Sequence, residues 1–194
     1  MSDLIPEAVA PLLHGRLGTP YRFVASCAST QRLIEETDVE GTTVVTDHQT
    51  HGRGRLGRVW EDTPGRSLLV SILLTPRPPM PLWPQLSLVA GEAVAVALRQ
   101  QTGIDASLRH PNDVVVAGRK LVGVLPEASR GRVVLGIGVN VNQTAEELPT
   151  DTVKPPTSVR IELGHEVARA PLLAAILLEL ERGYDEWSAP YFAR

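Results

Sequence analysis

The sequence predicts an α+β fold: a mixed, mostly antiparallel sheet of six or seven strands with helices stacked on one face. Three observations carry this. Short runs rich in Val, Ile and Leu recur along the chain at strand length. Glycine-bearing turns at 117–119 and 129–132 suit hairpin joins. Two longer stretches, near 83–101 and 171–187, carry apolar residues at helical spacing and can cover such a sheet.

In order, Leu4, Ile5, Val9, Leu12 and Leu13 predict a first helix within 3–17, which Gly18 can stop. Pro20 to Cys27 reads as a strand. Ser29-Thr30-Gln31 offers hydroxyls for an N-cap and predicts a helix through about Asp38. The other use of such a start is to bind an anionic or carbonyl group of a ligand. A strand over 42–48 leads to Gln49. Ser67 to Leu74 is apolar enough for a strand buried on both faces. Five prolines between 76 and 84 make a stiff connector. The longest helix spans Trp83 to Gln101, with Gly103 as its cap. Strands follow at 106–109, 114–116, 120–125 and 133–142, and glycines inside the last suggest close backbone approach to another group. Residues 143–156 form a loop, and helices at 157–163 and 171–187 close the chain.

Composition excludes several classes. With 194 residues, 43% hydrophobic and 21% charged, the chain has the profile of one globular unit, taken here as a single domain over 1–194. The lone cysteine, Cys27, permits no intrachain disulfide and reads as a small apolar residue. The acidic start lacks the basic region of a signal peptide, and no apolar run reaches the ~20 residues of a membrane span. The cytoplasm is the expected compartment, with no membrane partner. Of the 19 basic residues only Lys120 and Lys154 are lysine. A lysine kept among arginines hints at a need for a compact point charge, although arginine-biased coding explains it equally well.

The stretch Thr46 to Trp60 concentrates the chemistry. It packs Gly52, Gly54 and Gly57 among Arg53, Arg55 and Arg58. Glycine permits close backbone approach, and the guanidinium fork suits phosphate and carboxylate. The spacing matches a dinucleotide fingerprint literally, but that fingerprint requires a helix immediately afterwards. Here Arg58 to Gly65 has turn chemistry instead. A basic turn gripping nucleic acid is opposed by the net charge of -3. A surface loop without a task remains open on these residues alone.

The order of motifs is more specific than any one of them. A Ser-Thr start, a strand, Gln49 and GRGRLGRVW are followed by Pro111-Asn112-Asp113, by RKLVGVLPE (119–127) and by LGIGVNVN (135–142). From about residue 20 onward this resembles the catalytic domain of bacterial biotin protein ligases. The resemblance implies a class II synthetase-like fold, with biotin, ATP and Mg²⁺ as ligands. It implies biotinylation, through biotinyl-5′-AMP, of a lysine on the biotin carboxyl carrier protein of a carboxylase. Lipoate or octanoate transfer and a non-catalytic biotin-binding module are the alternatives.

By the same resemblance, Ser29, Thr30, Gln31 and Gln49 belong to the biotin pocket, and Gly123 and Gly138 let backbone lie against biotin. Lys120 meets the reacting carboxylate and adenylate. Arg53, Gly54 and Arg55 belong to the closing loop, with Arg58 an outer helper; each charge-assisted bond contributes ~1.5–3 kcal/mol. Trp60 packs near the adenine, Asn140 lies by the nucleotide, and Asn112 and Asp113 lie where ATP and Mg²⁺ are handled. Lys120, Arg55 and Asp113 are the catalytic candidates; Asp113 is the one metal-ligand candidate, with no dedicated cage expected, and it could equally orient the carrier lysine. The usual pattern is left at two places: Arg109-His110 replaces Lys-Trp, and Gln31 replaces Asn. The ending at Arg194 leaves no room for the family's small C-terminal barrel, and residues 1–19 are too few for a DNA-binding domain, so no DNA partner is expected. The sequence leaves the oligomeric state open; relatives can pair edge strands, and 133–142 is the segment that could form a homodimer in this way.

Overall fold

The computed structural model describes residues 2–191. Seven strands form one sheet: β1 (Tyr21–Val24), β2 (Thr43–Thr46), β3 (Ser67–Leu74), β4 (Ser107–Arg109), β5 (Asp113–Val116), β6 (Arg119–Ser129) and β7 (Arg132–Asn140). Their order is β1-β2-β3-β7-β6-β5-β4. Only β1 and β2 run parallel; every other neighbouring pair is antiparallel. The predicted mixed sheet is therefore present. The two turns expected from glycine are formed with positive φ at Ala117 and Gly118 and at Arg130 and Gly131, the conformation tight hairpins demand.

The sheet has two unlike faces because side chains alternate along each strand. Leu68, Val70, Ile72 and Leu74 of β3 and Val133, Leu135, Ile137 and Val139 of β7 belong to the main core. Two helices supply the other half of that core, α2 (Leu86–Thr102) and α4 (Arg169–Ser188). On β7, Gly136, Gly138 and Asn140 alternate with Leu135, Ile137 and Val139, and with Ser71 of β3 they face a cavity instead. The helices thus buttress one face and leave the other for the site.

Several local features fix this arrangement. Gly103 ends α2 at φ 73° and donates its N–H to the Arg99 carbonyl, as expected of a left-handed cap. A Cβ at Gly91 would lie 2.4 Å from Leu108 Cδ1, so glycine lets α2 rest on β4. The helical run Met80–Thr102 reaches 23 residues and is apolar enough to cross a bilayer, longer than the sequence suggested. More than half of its most apolar window is buried, so its apolar side is used by the core. Arg169 of α4 is buried and pairs with Asp3 (2.7 Å) and Asp47 (2.8 Å), tying the N-terminal segment and the end of β2 to the helix layer.

Three expectations change. The first helix is short, α1 (Pro6–Val9) followed by one tight turn at Ala10–Leu12: Pro6 starts it, and Pro11, which lacks an N–H to donate, keeps it from running on. The helix expected from Ser29 to Asp38 is one tight turn, Thr30–Leu33, and the Ser29 side chain makes no capping bond. Strand β7 lies between β3 and β6, so 133–142 offers no free edge for a homodimer; the free edges are β1 and β4. The short helix expected at 157–163 is present as α3 (Val159–Leu163), and Ser158 Oγ caps it by accepting from the Ile161 N–H.

Candidate functional site

On the uncovered face lies a cavity of about 660 Å³, within the size range of small-molecule sites. Its floor is backbone. A Cβ at Gly136 would lie 3.1 Å from Gln31, at Gly138 2.6 Å from the Trp60 ring, and at Gly123 2.7 Å from the same ring. Two neighbouring strands, β6 and β7, therefore carry no side chain at these positions, so that flat groups can lie on them.

One end of the cavity is a buried polar pocket. Thr30 donates through its amide and its hydroxyl to Gln49 Oε1, at 2.9 and 3.2 Å. The same hydroxyl lies 2.7 Å from Ser71 Oγ. Gln31 Nε2 donates to the Leu125 carbonyl at 3.2 Å. Ser29 and Thr30 are buried. The chain reaches this arrangement because Cys27 and Gln49 continue the parallel β1–β2 ladder past the strands, placing the Thr30 turn beside Gln49. Cys27 itself is half-buried, and burial foremost raises its thiol pKa, which disfavours a nucleophilic thiolate.

The arginine loop is folded. Trp60 N–H donates to Gly52 O (3.1 Å) and Gly54 N–H to Arg58 O (2.8 Å), making a narrow antiparallel loop. A Cβ at Gly52 would lie 2.2 Å from Trp60 O, so only glycine fits there. Leu56 and Gly57 at the tip take positive φ, 59° and 74°. Asp62 secures the base, accepting from the Gln49 N–H at 3.1 Å and pairing with His48 Nδ1 at 3.0 Å. The arginines point to different partners. Arg53 grips Glu127 of β6 through two contacts, at 2.8 and 2.6 Å. Arg55 Nη1 donates to Asn112 Oδ1 at 3.1 Å. Arg58 lines the cavity.

Opposite the polar pocket stands a charged cluster. Asp113, buried at the start of β5, lies 3.1 Å from Lys120 Nζ through one oxygen and meets Lys154 Nζ through the other. Burial alone would raise the Asp113 pKa, but the hydrogen bond from Lys154 and the charge of Lys120 outweigh it and hold the carboxyl below its ordinary 3.8. Lys120 Nζ also lies 5.6 Å from the Trp60 ring centroid. Among the described residues no cluster of three or more His, Cys, Asp or Glu side chains could hold a metal ion. Both Asp113 oxygens are already engaged by ammonium groups, so the expected Mg²⁺ ligand does not fit a resident ion here.

Every residue predicted for the site lines this one cavity: Ser29, Thr30, Gln31, Gln49, Arg53, Gly54, Arg55, Trp60, Asn112, Asp113, Lys120, Gly123, Gly138 and Asn140. Two behave differently from expectation. Trp60 covers Gly123 and Gly138 itself, and its indole N–H is buried without a partner. Asn140 is used as a brace, donating to Thr157 O (3.0 Å) and accepting from Gln143 (3.3 Å). Ser71, Glu127, Asp62 and Lys154 were not singled out as site residues. Lys154 left a signal in the sequence through its scarcity, and Glu127 through closing the RKLVGVLPE motif.

A glycine floor, a buried polar pocket and a folded cationic loop suit a small anionic ligand. The comparisons specify the kind. The model of the biotin/lipoate A/B protein ligase family matches residues 24–143, and the chain belongs to that family. It is 39% identical over 153 residues to the bifunctional ligase/repressor BirA of Bacillus subtilis, covering 76% of this chain and 47% of the relative. To the biotin–[acetyl-CoA-carboxylase] ligase of Mycobacterium tuberculosis it is 35% identical, covering 80% of this chain and 59% of the relative. It thus spans about half the length of these curated relatives. Among solved structures, the biotin protein ligase of Aquifex aeolicus in complex with biotin and ATP superposes with TM-score 0.79 at 36% identity, covering 88% of this chain and 72% of that one. The Leishmania major enzyme in complex with biotinyl-5-AMP shares the fold at TM-score 0.71 and 24% identity.

Proposed function

We propose that the chain is a biotin protein ligase catalytic domain that activates biotin with ATP and passes it to a lysine of a biotin carboxyl carrier domain. The observation that carries this is the continuity of one cavity, from a buried hydroxyl–amide pocket to a cluster of five cationic side chains, Arg53, Arg55, Arg58, Lys120 and Lys154. Biotin has those two ends, an uncharged ureido ring and a carboxylate. Thr30, Gln31, Gln49 and Ser71 supply donors and acceptors for the ring, and Gly136 and Gly138 supply its floor.

In the first step a biotin carboxylate oxygen attacks the α-phosphorus of ATP, a phosphoanhydride bond breaks and pyrophosphate leaves. Two anions must meet, and preorganised cations offset their repulsion. Lys120 is the cation we place at the reacting carboxylate, with Arg55 on the phosphates and Arg53 closing the loop. In the second step the carrier amine attacks the acyl carbon, the mixed anhydride breaks, AMP leaves and the amine gives up a proton. A loop that keeps water from the anhydride protects it between steps. Mg²⁺, bound to ATP rather than to a protein cage, would supply further charge neutralisation on the phosphates. We place the reaction in the cytoplasm and assign no DNA or membrane partner, in line with the net charge of -3.

The test is biotin-dependent exchange of labelled pyrophosphate into ATP by the purified chain with Mg²⁺. Exchange that requires biotin and is not supported by lipoate is expected. A folded protein with no exchange would overturn the proposal.

A further inference from the structure

The two lysines of the chain, Lys120 and Lys154, lie far apart in sequence, yet both reach one carboxylate. Asp113 gives one oxygen to each. A structural ion pair needs a single ammonium for neutrality, so this trio carries a net positive charge into the cavity it lines. The second lysine is held there by backbone. Lys120 N–H donates to Pro155 O, and Thr157 N–H donates to Lys120 O, both at 2.8 Å. The segment bearing Lys154 is thereby laced alongside the start of β6, and consecutive prolines at 155 and 156 stiffen it. Pro149, Asp151, Thr152, Val153 and Lys154 form the cavity wall on that side. The Lys154 side chain is 27% exposed, open enough to meet a ligand. An ammonium has three donors, so Lys154 can keep Asp113 and still offer hydrogen bonds to an anion.

We infer that Lys154 is a second phosphate-binding cation of the site, and that Asp113 is the clip that spaces its ammonium from that of Lys120. The inference rests on the reading that a nucleoside triphosphate enters this cavity. Lys154 contacts the polyphosphate chain, whereas Lys120 faces the carboxylate where the new bond forms. Asp113 is then a positioning residue for both.

Two measurements test this. Calorimetric titration of ATP with Mg²⁺ into the K154M variant should show affinity lowered by about tenfold or more, the loss of one charge-assisted contact. Biotin affinity should stay within about twofold, and K154R should recover part of the loss because it restores the charge. In the unmodified protein, acetylation by an N-hydroxysuccinimide ester, read by mass spectrometry, should be slowed at Lys154 by ATP and not by biotin. This second readout holds whether or not K154M folds. ATP affinity unchanged in a folded K154M, or acetylation of Lys154 indifferent to ATP, would overturn the inference. Biotin-dependent exchange in the unmodified protein separates the outcomes: if exchange is normal and Lys154 is indifferent, this inference alone falls. If exchange is absent, the ligase proposal falls, while the ATP measurements still decide the role of Lys154.

Discussion

Replacing Gly138 by Ala puts one methyl group at the centre of the site. Its position lies 2.6, 2.8 and 3.1 Å from three atoms of the Trp60 ring, so the ring cannot stay where it is. Trp60 sits on the arginine loop, held to the body by Asp62, Arg53 and Arg55 rather than by the helix-packed core. The loop can therefore shift, and the fold should keep its thermal transition. A ligand has no such freedom, because the floor under it has risen. Inserting a methyl into a packed contact costs about 1–3 kcal/mol, which converts to a loss of roughly five- to 150-fold in biotin affinity. Paired biotin titration and thermal unfolding of G138A and the unmodified protein make the measurement. Biotin affinity within twofold, in a variant that unfolds normally, would refute the idea that bare backbone at β7 forms the floor of the biotin site.

Other consequences are separable. Lys120→Ala should abolish pyrophosphate exchange yet leave the unfolding midpoint nearly unchanged, because Lys154 still pairs with Asp113; retained exchange would remove Lys120 from the chemistry. Glu127→Gln should loosen the loop by releasing Arg53; an exposed ion pair worth about 0.2–1 kcal/mol predicts tryptic cleavage within 53–58 faster by up to roughly fivefold, suppressed again by biotin and ATP. Asp113 has a lowered pKa in the fold, so its ionised form stabilises the protein above the unfolded value and the contribution is lost as pH falls through the folded one. The stability gap between unmodified protein and D113N, from urea midpoints, should hold steady from neutral pH down to about 4 and narrow only below it; narrowing already near pH 6 would contradict the pairing described.

The sheet was legible because its signals are local. Ser67 to Leu74 is mostly apolar and is an interior strand, and glycines at both hairpins occupy the positive-φ positions they predicted. The start at Ser29 gave no helix, and the neighbouring Thr30 hydroxyl, which could have served a cap, is engaged instead by Gln49 and Ser71. The pairing edge proposed at 133–142 failed for a related reason: strand order depends on long-range partners, which composition cannot supply. At the site, motifs marked the residues held by backbone shape, such as Gly138 and Asn112. Those recruited from distant segments left little trace. Lys154 reaches Asp113 across 41 positions, and Glu127 meets Arg53 across 74. Trp60 resting on the glycines themselves also needed coordinates to be seen.

Transfer of biotin from this chain to a purified biotin carboxyl carrier domain, followed by mass spectrometry with ATP present or withheld, tests the central claim most directly. The account predicts one ATP-dependent amide adduct on the carrier lysine, absent when biotin is omitted. A protein that binds biotin and ATP in this cavity but leaves the carrier unmodified would contradict it.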